Sequence, residues 1–285
     1  MKKRALAVLL ALLLACAGPE CQAAAAPMQD CPPAVALTFD DGPNGACTEA
    51  LLRLLAEKDV PATFFLCGYR IAEQPDLAAA IADAGHEIGL HGYSHEYFTK
   101  MTPEALAQEL AQTAALLQDA GAGETALLRP PGGLVSDEVR CQAAQAGLSL
   151  IFWNVDPEDW RGGPAQATAQ HVISHVAPGA IVLLHDLQET SVTAAGQIID
   201  ALQAQGYQFL TVSQLAAYYG KALTPGESYR AFSPPEPHAA RRDNFRAFAR
   251  FFLQCGGESA IIILATAAIL RRYRTICATT EHRRQ

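Results

Sequence analysis

The sequence predicts an α/β fold, a distorted (β/α)7 barrel with parallel strands, on three observations. Seven short β-type runs alternate with Ala/Leu/Gln-rich helical stretches between Ala34 and Tyr219. Repeated βα units join parallel strands through right-handed crossovers, which leaves a doubly wound sheet or a barrel. The unusual polar residues Asp40, Asp41, His91, His95, Arg129, Asp156, Asp159 and His185 fall at or just past the C-terminal ends of several different strands. An open sheet gathers ligands at one switch crevice, whereas a barrel collects them from many strand ends on one face, so the barrel is preferred.

In chain order, the strand candidates are residues 34–40, 62–68, 86–92, 126–130, 149–155, 180–186 and 207–213. Each is a short apolar or β-branched run bounded by turn-forming residues. Helical stretches begin near Cys47, Ile71, Pro103, Ser136, Pro164 and Ser191, with a short last one around 213–219. Pro103 and Pro164 suit first helical turns, where a missing N–H forfeits no hydrogen bond.

Half of the 285 residues are apolar and the formal charge is -8. That suits one substantial core and argues against a polyanion-binding surface, so no nucleic-acid partner is expected. Residues 1–25 read as a secretory signal, with Lys2, Lys3 and Arg4 ahead of an apolar run too short for a membrane span. Two processing sites compete: small-residue cleavage around Ala23-Ala24-Ala25, and Leu13-Leu14-Ala15-Cys16, which resembles a bacterial lipobox and would leave a lipid anchor at Cys16. Either implies a secreted or extracytoplasmic protein, attached at the cell surface if Cys16 is lipidated; a monomer is expected. Residues 26–33 are a linker and 34–220 the folded domain. Residues 221–285 form a basic extension without a folding pattern; from Arg230 onward it holds ten basic and four acidic residues. Its apolar run, 260–270, is far shorter than the roughly 20 residues a spanning helix needs. Cys31, Cys47, Cys67 and Cys141 could form disulfides outside the cytoplasm, with a buried free thiol favoured for Cys67.

Four motifs carry candidate chemistry. Thr38-Phe39-Asp40-Asp41-Gly42-Pro43 sets two acids at a strand tip, where neighbouring side chains point to opposite faces and can divide holding from proton transfer. Asp-Gly-Pro is also ordinary turn chemistry. His91-Gly92-Tyr93-Ser94-His95 spaces two imidazoles so that they meet if the segment turns helically. With a carboxylate they make an open three-ligand set, which suits catalytic zinc and is also the facial set of non-haem iron oxygenases. Arg129-Pro130-Pro131-Gly132-Gly133 offers a guanidinium and backbone N–H groups. The strand ending in Leu183-Leu184-His185-Asp186 buries a histidine that needs a partner, which Trp153 to Trp160 can supply along with an aromatic wall.

In order and spacing, these motifs resemble the polysaccharide deacetylases of carbohydrate esterase family 4, the NodB-homology domain. The likeness runs from about Ala34 to about Tyr219. It implies a single catalytic domain in which Asp40 is the base, Asp41, His91 and His95 bind the metal, and Arg129 orients the base. His185 would be the acid, tuned by Asp159, with Trp160 and Leu183 lining an acetyl pocket. Where the family commonly has Tyr after Arg-x-Pro, this chain has Gly132, whose N–H can still donate although the ring is absent. The implied activity is hydrolysis of N-acetyl groups on a cell-wall polysaccharide, peptidoglycan or chitin-like, with Zn2+ favoured and Co2+ or another transition metal as alternatives. O-acetyl xylan esterase activity and a non-catalytic glycan-binding module are the competing readings.

Overall fold

The computed structural model describes residues 31–233. The expected signal, Cys16, most of the linker and most of the basic extension lie outside the described residues. Eight strands are present: β1 (Ala34–Gly42), β2 (Thr63–Leu66), β3 (Glu87–Leu90), β4 (Leu127–Leu128), β5 (Ser149–Ile151), β6 (Ile181–His185), β7 (Gln208–Phe209) and β8 (Ser228–Tyr229). The sheet runs β6-β1-β2-β3-β4-β5-β8, with β7 paired to the start of β1, and every strand pair is parallel.

The sheet curls until its two ends meet only in pieces. Beyond β5, Val155 bridges Val182 of β6, and Leu183 donates its N–H to the Val155 carbonyl at 2.9 Å. Below that contact β8 lies along β5, and Ala231 pairs with Ala180 just ahead of β6. The barrel is therefore distorted, as expected, but its eighth strand falls past residue 220, where the sequence suggested the domain ends. Residues 221–233 belong to the fold: Phe232 is buried and donates its N–H to the Gly179 carbonyl at 2.8 Å. Ser228–Tyr229 escapes sequence reading because two residues in a Pro-Gly-bounded stretch have no period to detect.

Helices α1 (Gly45–Glu57), α4 (Pro103–Asp119), α5 (Asp137–Gln145), α6 (Ala165–His175) and α7 (Glu189–Ala204) match expected stretches. The stretch near Ile71 divides into α2 (Gly68–Glu73) and α3 (Pro75–Asp83), because Pro75 forces Gln74 out of helical geometry (φ -138°). Helix α4 starts on Thr102, whose hydroxyl accepts the Ala105 N–H, and buries Leu106, Leu110, Thr113 and Leu117 on one face. The last expected strand, 207–213, stops at Phe209. Thr211 and Gln214 there form a capping box that starts α8 (Val212–Tyr218) instead.

Alternation along the strands sorts the core. Val35, Leu37, Phe39, Phe64 and Leu66 pack outward against helix residues such as Leu51, Leu55 and Ile198. Ala34, Ala36, Phe65, Leu127, Ile151 and Ile181 face inward, where Val212, Leu215 and Ala216 of α8 plug the bottom. The plug is tied by Val212 N–H to Thr63 Oγ1 (2.9 Å) and Ser213 N–H to Glu87 Oε2 (3.1 Å). Parity then carries Thr38 and Asp40, Arg129, and Leu183 and His185 to the inside of the upper rim, opposite the plug. The four described cysteines are all free thiols, so none of the disulfides open to them forms among the described residues; Cys67 is buried and burial pushes its thiol up.

Truncating the side chain that β8's extension plants in the core tests this boundary. Phe232→Ala is expected to lower unfolding free energy by about 3–5 kcal/mol in urea titrations, whereas a domain ending at residue 220 would feel no change.

Candidate active site

Arg129 is fully buried where β4 ends, and each of its three guanidinium nitrogens donates a hydrogen bond. Nη1 donates to Asp40 Oδ1 (2.6 Å) and Thr38 Oγ1 (2.7 Å), Nε to the Ile151 carbonyl (3.1 Å) and Nη2 to the Phe152 carbonyl (3.2 Å). The guanidinium carbon lies 4.0 Å from the centre of the Phe65 ring. Burial pulls the guanidinium pKa down and the Asp40 charge pulls it back. Asp40, itself buried, gains a fixed counter-charge on one oxygen while the other faces His91 Nε2 at 3.8 Å.

The two adjacent acids do not take opposite faces, as a regular strand would require. The β1–β2 register shifts between Asp40 and Gly42, and Asp41 has a left-handed φ of 72°. This bulge turns Asp41 toward the same mouth, with Oδ1 3.3 Å from His91 Nε2 and 3.0 Å from His95 Nε2. Nor do the histidines converge on a helical turn. The segment between them is a loop, with Gly92 at φ 78° and His95 at φ 62°. Glu109 of α4 braces it, accepting the N–H groups of Tyr93 (2.7 Å) and Ser94 (2.9 Å) on one carboxylate oxygen.

His91 Nδ1 lies 2.7 Å from the Arg129 carbonyl, which can only accept, so Nδ1 carries the proton and Nε2 keeps its lone pair. Asp41 Oδ1 is buried and has no hydrogen-bond partner among the described residues. One ligand atom from each of Asp41, His91 and His95 lies within 4.8 Å of the others. An orphaned carboxylate oxygen beside two imidazole nitrogens fits a divalent cation with positions left open. Burial disfavours charge on Asp41, but the two imidazoles facing it, His91 and His95, outweigh burial and hold the carboxyl far below the usual range. His95 is raised by the same Asp41 contact.

Across the mouth, Asp159 grips His185 twice. Oδ1 accepts from Nδ1 (2.8 Å) and Oδ2 from the backbone N–H (2.9 Å), while Ser191 donates to Oδ2 at 2.7 Å. Desolvation opposes the imidazolium, yet the Asp159 bond and the charges of Asp40, Asp159 and Asp41 push its pKa up to about 9. Asp156 instead shapes the loop, accepting from Trp153 Nε1 (3.1 Å) and the Glu158 N–H (2.8 Å). Leu183 is buried two residues before His185, and Trp160 stands 49% exposed beside Asp159. Gly132 has φ 64° in the turn after Arg129.

Sequence reasoning missed Glu109 and Asp186. Asp186 is buried beneath the Asp-Gly-Pro turn, where Thr48 donates to Oδ2 and Oδ1 has no partner among the described residues. A Cβ on Gly42 would meet Oδ2 at 2.6 Å, so only glycine fits there. A charged residue directly after an apolar strand was the available signal for Asp186; Glu109, on a mostly polar helix, gave none.

A parallel barrel with a three-ligand set at its mouth, flanked by an Asp–Arg and a His–Asp pair, defines a barrel with a candidate metal-hydrolase centre. The sequence profile described as polysaccharide deacetylase matches residues 28–151. The peptidoglycan-N-acetylglucosamine deacetylase of Bacillus cereus is 36% identical over 189 residues, covering 65% of this chain and 88% of that relative. Peptidoglycan-N-acetylglucosamine deacetylase PgdA of Listeria monocytogenes is 34% identical over 195 residues, 68% of this chain, but the chain spans only 41% of that protein's length. A family 4 acetyl xylan esterase from Clostridium thermocellum, solved with a cobalt ion, superposes with a TM-score of 0.65 at 30% identity, over 69% of this chain and 98% of that one. The chain belongs to the polysaccharide deacetylase family, carbohydrate esterase family 4.

Burial pushes the Asp186 carboxyl up to about 6. Its proton-linked stabilisation is complete below the unfolded value near 3.8 and lost as pH rises through about 6. Asp186→Asn, neutral at every pH, is therefore expected to be more stable than wild type at pH 8 by up to about 3 kcal/mol, read as a higher unfolding temperature, and to match it at pH 4. Equal melting curves at both pH values would contradict this.

Proposed function

We propose that the protein is a metal-dependent polysaccharide N-deacetylase, hydrolysing N-acetyl groups of N-acetylglucosamine-type residues in a cell-wall polymer and releasing acetate. The observation that carries this reading is the orphaned Asp41 Oδ1 facing His91 and His95, between an arginine-paired Asp40 and a carboxylate-gripped His185. Asp41, His91 and His95 would hold the cation, with Zn2+ first and Co2+ as alternative. When bound, such a cation supplies Lewis acidity that activates water and polarises the acetyl carbonyl.

The chain's residues do the rest. Asp40, oriented by Arg129, accepts the proton of the attacking water. The Gly132 N–H donates to the oxygen on which charge builds, a kind of contribution worth about 3–4 kcal/mol per donor. His185 delivers the proton from Nε2 to the leaving amine, because Nδ1 is committed to Asp159. Leu183 and Trp160 shelter the acetyl group. Names of relatives favour peptidoglycan or chitooligosaccharide as the polymer. The ester reading shares this machinery, and the acetyl xylan esterase likeness keeps it as the second choice.

Export rests on composition: a basic start and apolar run for the signal, and either the Ala23–Ala25 region or Cys16 for processing. No described helix is long and apolar enough to cross a membrane.

Three variants separate the roles. Asp41→Ala is expected to abolish zinc binding in calorimetry, whereas Asp40→Asn keeps the metal and loses acetate release; an active Asp40→Asn enzyme would remove Asp40 as the base. With Asp159→Asn, the alkaline limb of the pH–rate profile should fall from about 9 by one unit or more, since His185 must be protonated to act; an unmoved limb would exclude His185 as the acid. Acetate release should persist under nitrogen, which an oxygenase would not allow.

A further inference from the structure

Among the described residues the exposed large apolar side chains are Tyr97 (41%), Leu134 (45%) and Trp160 (49%). They follow the C-terminal ends of β3, β4 and β5, so all three stand at the mouth that holds the candidate metal site. Isolated exposed apolar residues need no explanation, but a set confined to one rim does.

Tyr97 is the best supported of them. It lies two residues past His95, and its ring packs on Gly132: a Cβ built at position 132 would meet Tyr97 Cε1 at 2.8 Å and Cδ1 at 3.5 Å. The space a side chain at 132 would fill is thus taken by an aromatic ring arriving from another strand's loop. Lys100 Nζ sits 4.9 Å from the ring centre, which fixes the ring from its own 3-10 turn (Phe98–Lys100). His95, Glu96, Tyr97 and Lys100 line one open depression. A ring braced at its edge and by a cation, yet two-fifths open, is pre-organised for a flat apolar partner and loses little entropy on contact.

We propose that Tyr97 is a specificity-determining residue of the glycan groove, stacking on the apolar C–H face of a pyranose ring next to the sugar that loses its acetyl group. The inference deepens the deacetylase reading and rests on it for the identity of the polymer. Tyr97 touches neither the proton-transfer pairs nor the orphaned Asp41 oxygen in any hydrogen bond of the structure, so its effect falls on oligomer binding and not on the chemical step.

The test compares wild type, Tyr97→Phe and Tyr97→Ala, each zinc-loaded, on an N-acetylglucosamine tetramer and on 4-nitrophenyl acetate, with tetramer affinity measured by calorimetry in the Asp40→Asn background. Tyr97→Ala is expected to raise KM and Kd for the tetramer about tenfold, the effect of losing one aromatic anchor. Its kcat, its turnover of the small ester and its melting temperature should stay at wild-type values, and Tyr97→Phe should behave as wild type throughout. Unchanged tetramer Kd in Tyr97→Ala would overturn the proposal, as would equal loss on the small ester, which would mark a role in site geometry. Should wild type release no acetate from the tetramer, the deacetylase reading fails, while the Kd comparison still decides the role of Tyr97.

Discussion

Arg129 heads the fully buried side chains of the protein, and its donors end on Asp40, Thr38 and the carbonyls of Ile151 and Phe152. A buried guanidinium is tolerable only when charge and hydrogen bonds repay its lost hydration, and removing one partner of such a pair typically costs about 3–5 kcal/mol. Here the pairing joins β1, β4 and the end of β5 at the height where the chemistry must occur. Asp40 is consequently fixed in direction before any substrate arrives. The Arg129 carbonyl also accepts from His91 Nδ1, which ties the candidate metal ligands to this anchor.

Around that anchor the acids and imidazoles divide into separate electrostatic neighbourhoods. Asp41 faces two imidazoles and stays ionised against burial, while Asp186, equally near the turn, is pushed toward neutrality by burial. His185 is drawn the other way by Asp159 and by the two acids at the tip of β1. The roles proposed for Asp40, Asp41 and His185 can coexist within one mouth because each group has a different partner.

Much of this was legible in the chain. Seven strands followed from apolar runs and turn residues, and Asp40, Arg129 and His185 could be gathered at one end because parallel βα units put strand C-termini together. Three features were not legible. The bulge that turns Asp41 beside Asp40 depends on a positive φ that Asp permits but does not demand. The convergence of His91 and His95 depends on Glu109 catching two N–H groups of their loop from a helix, a contact between segments with no periodic signature. Strand β8 is too short to read, although Phe232 close behind it is among the most buried residues. Gly132, noted in the sequence for its missing ring, proves to be where the edge of the Tyr97 ring packs.

The dependence of the site on the Arg129 fork is tested most directly by Arg129→Lys, loaded with zinc and incubated with an N-acetylglucosamine oligomer whose acetyl content is followed by mass spectrometry. Lysine keeps the charge but cannot serve Asp40, Thr38 and two carbonyls at once. Full zinc occupancy is expected, with acetyl loss slowed on the order of 100-fold, the cost of a misdirected base. Wild-type rates of acetyl loss in that variant would contradict it.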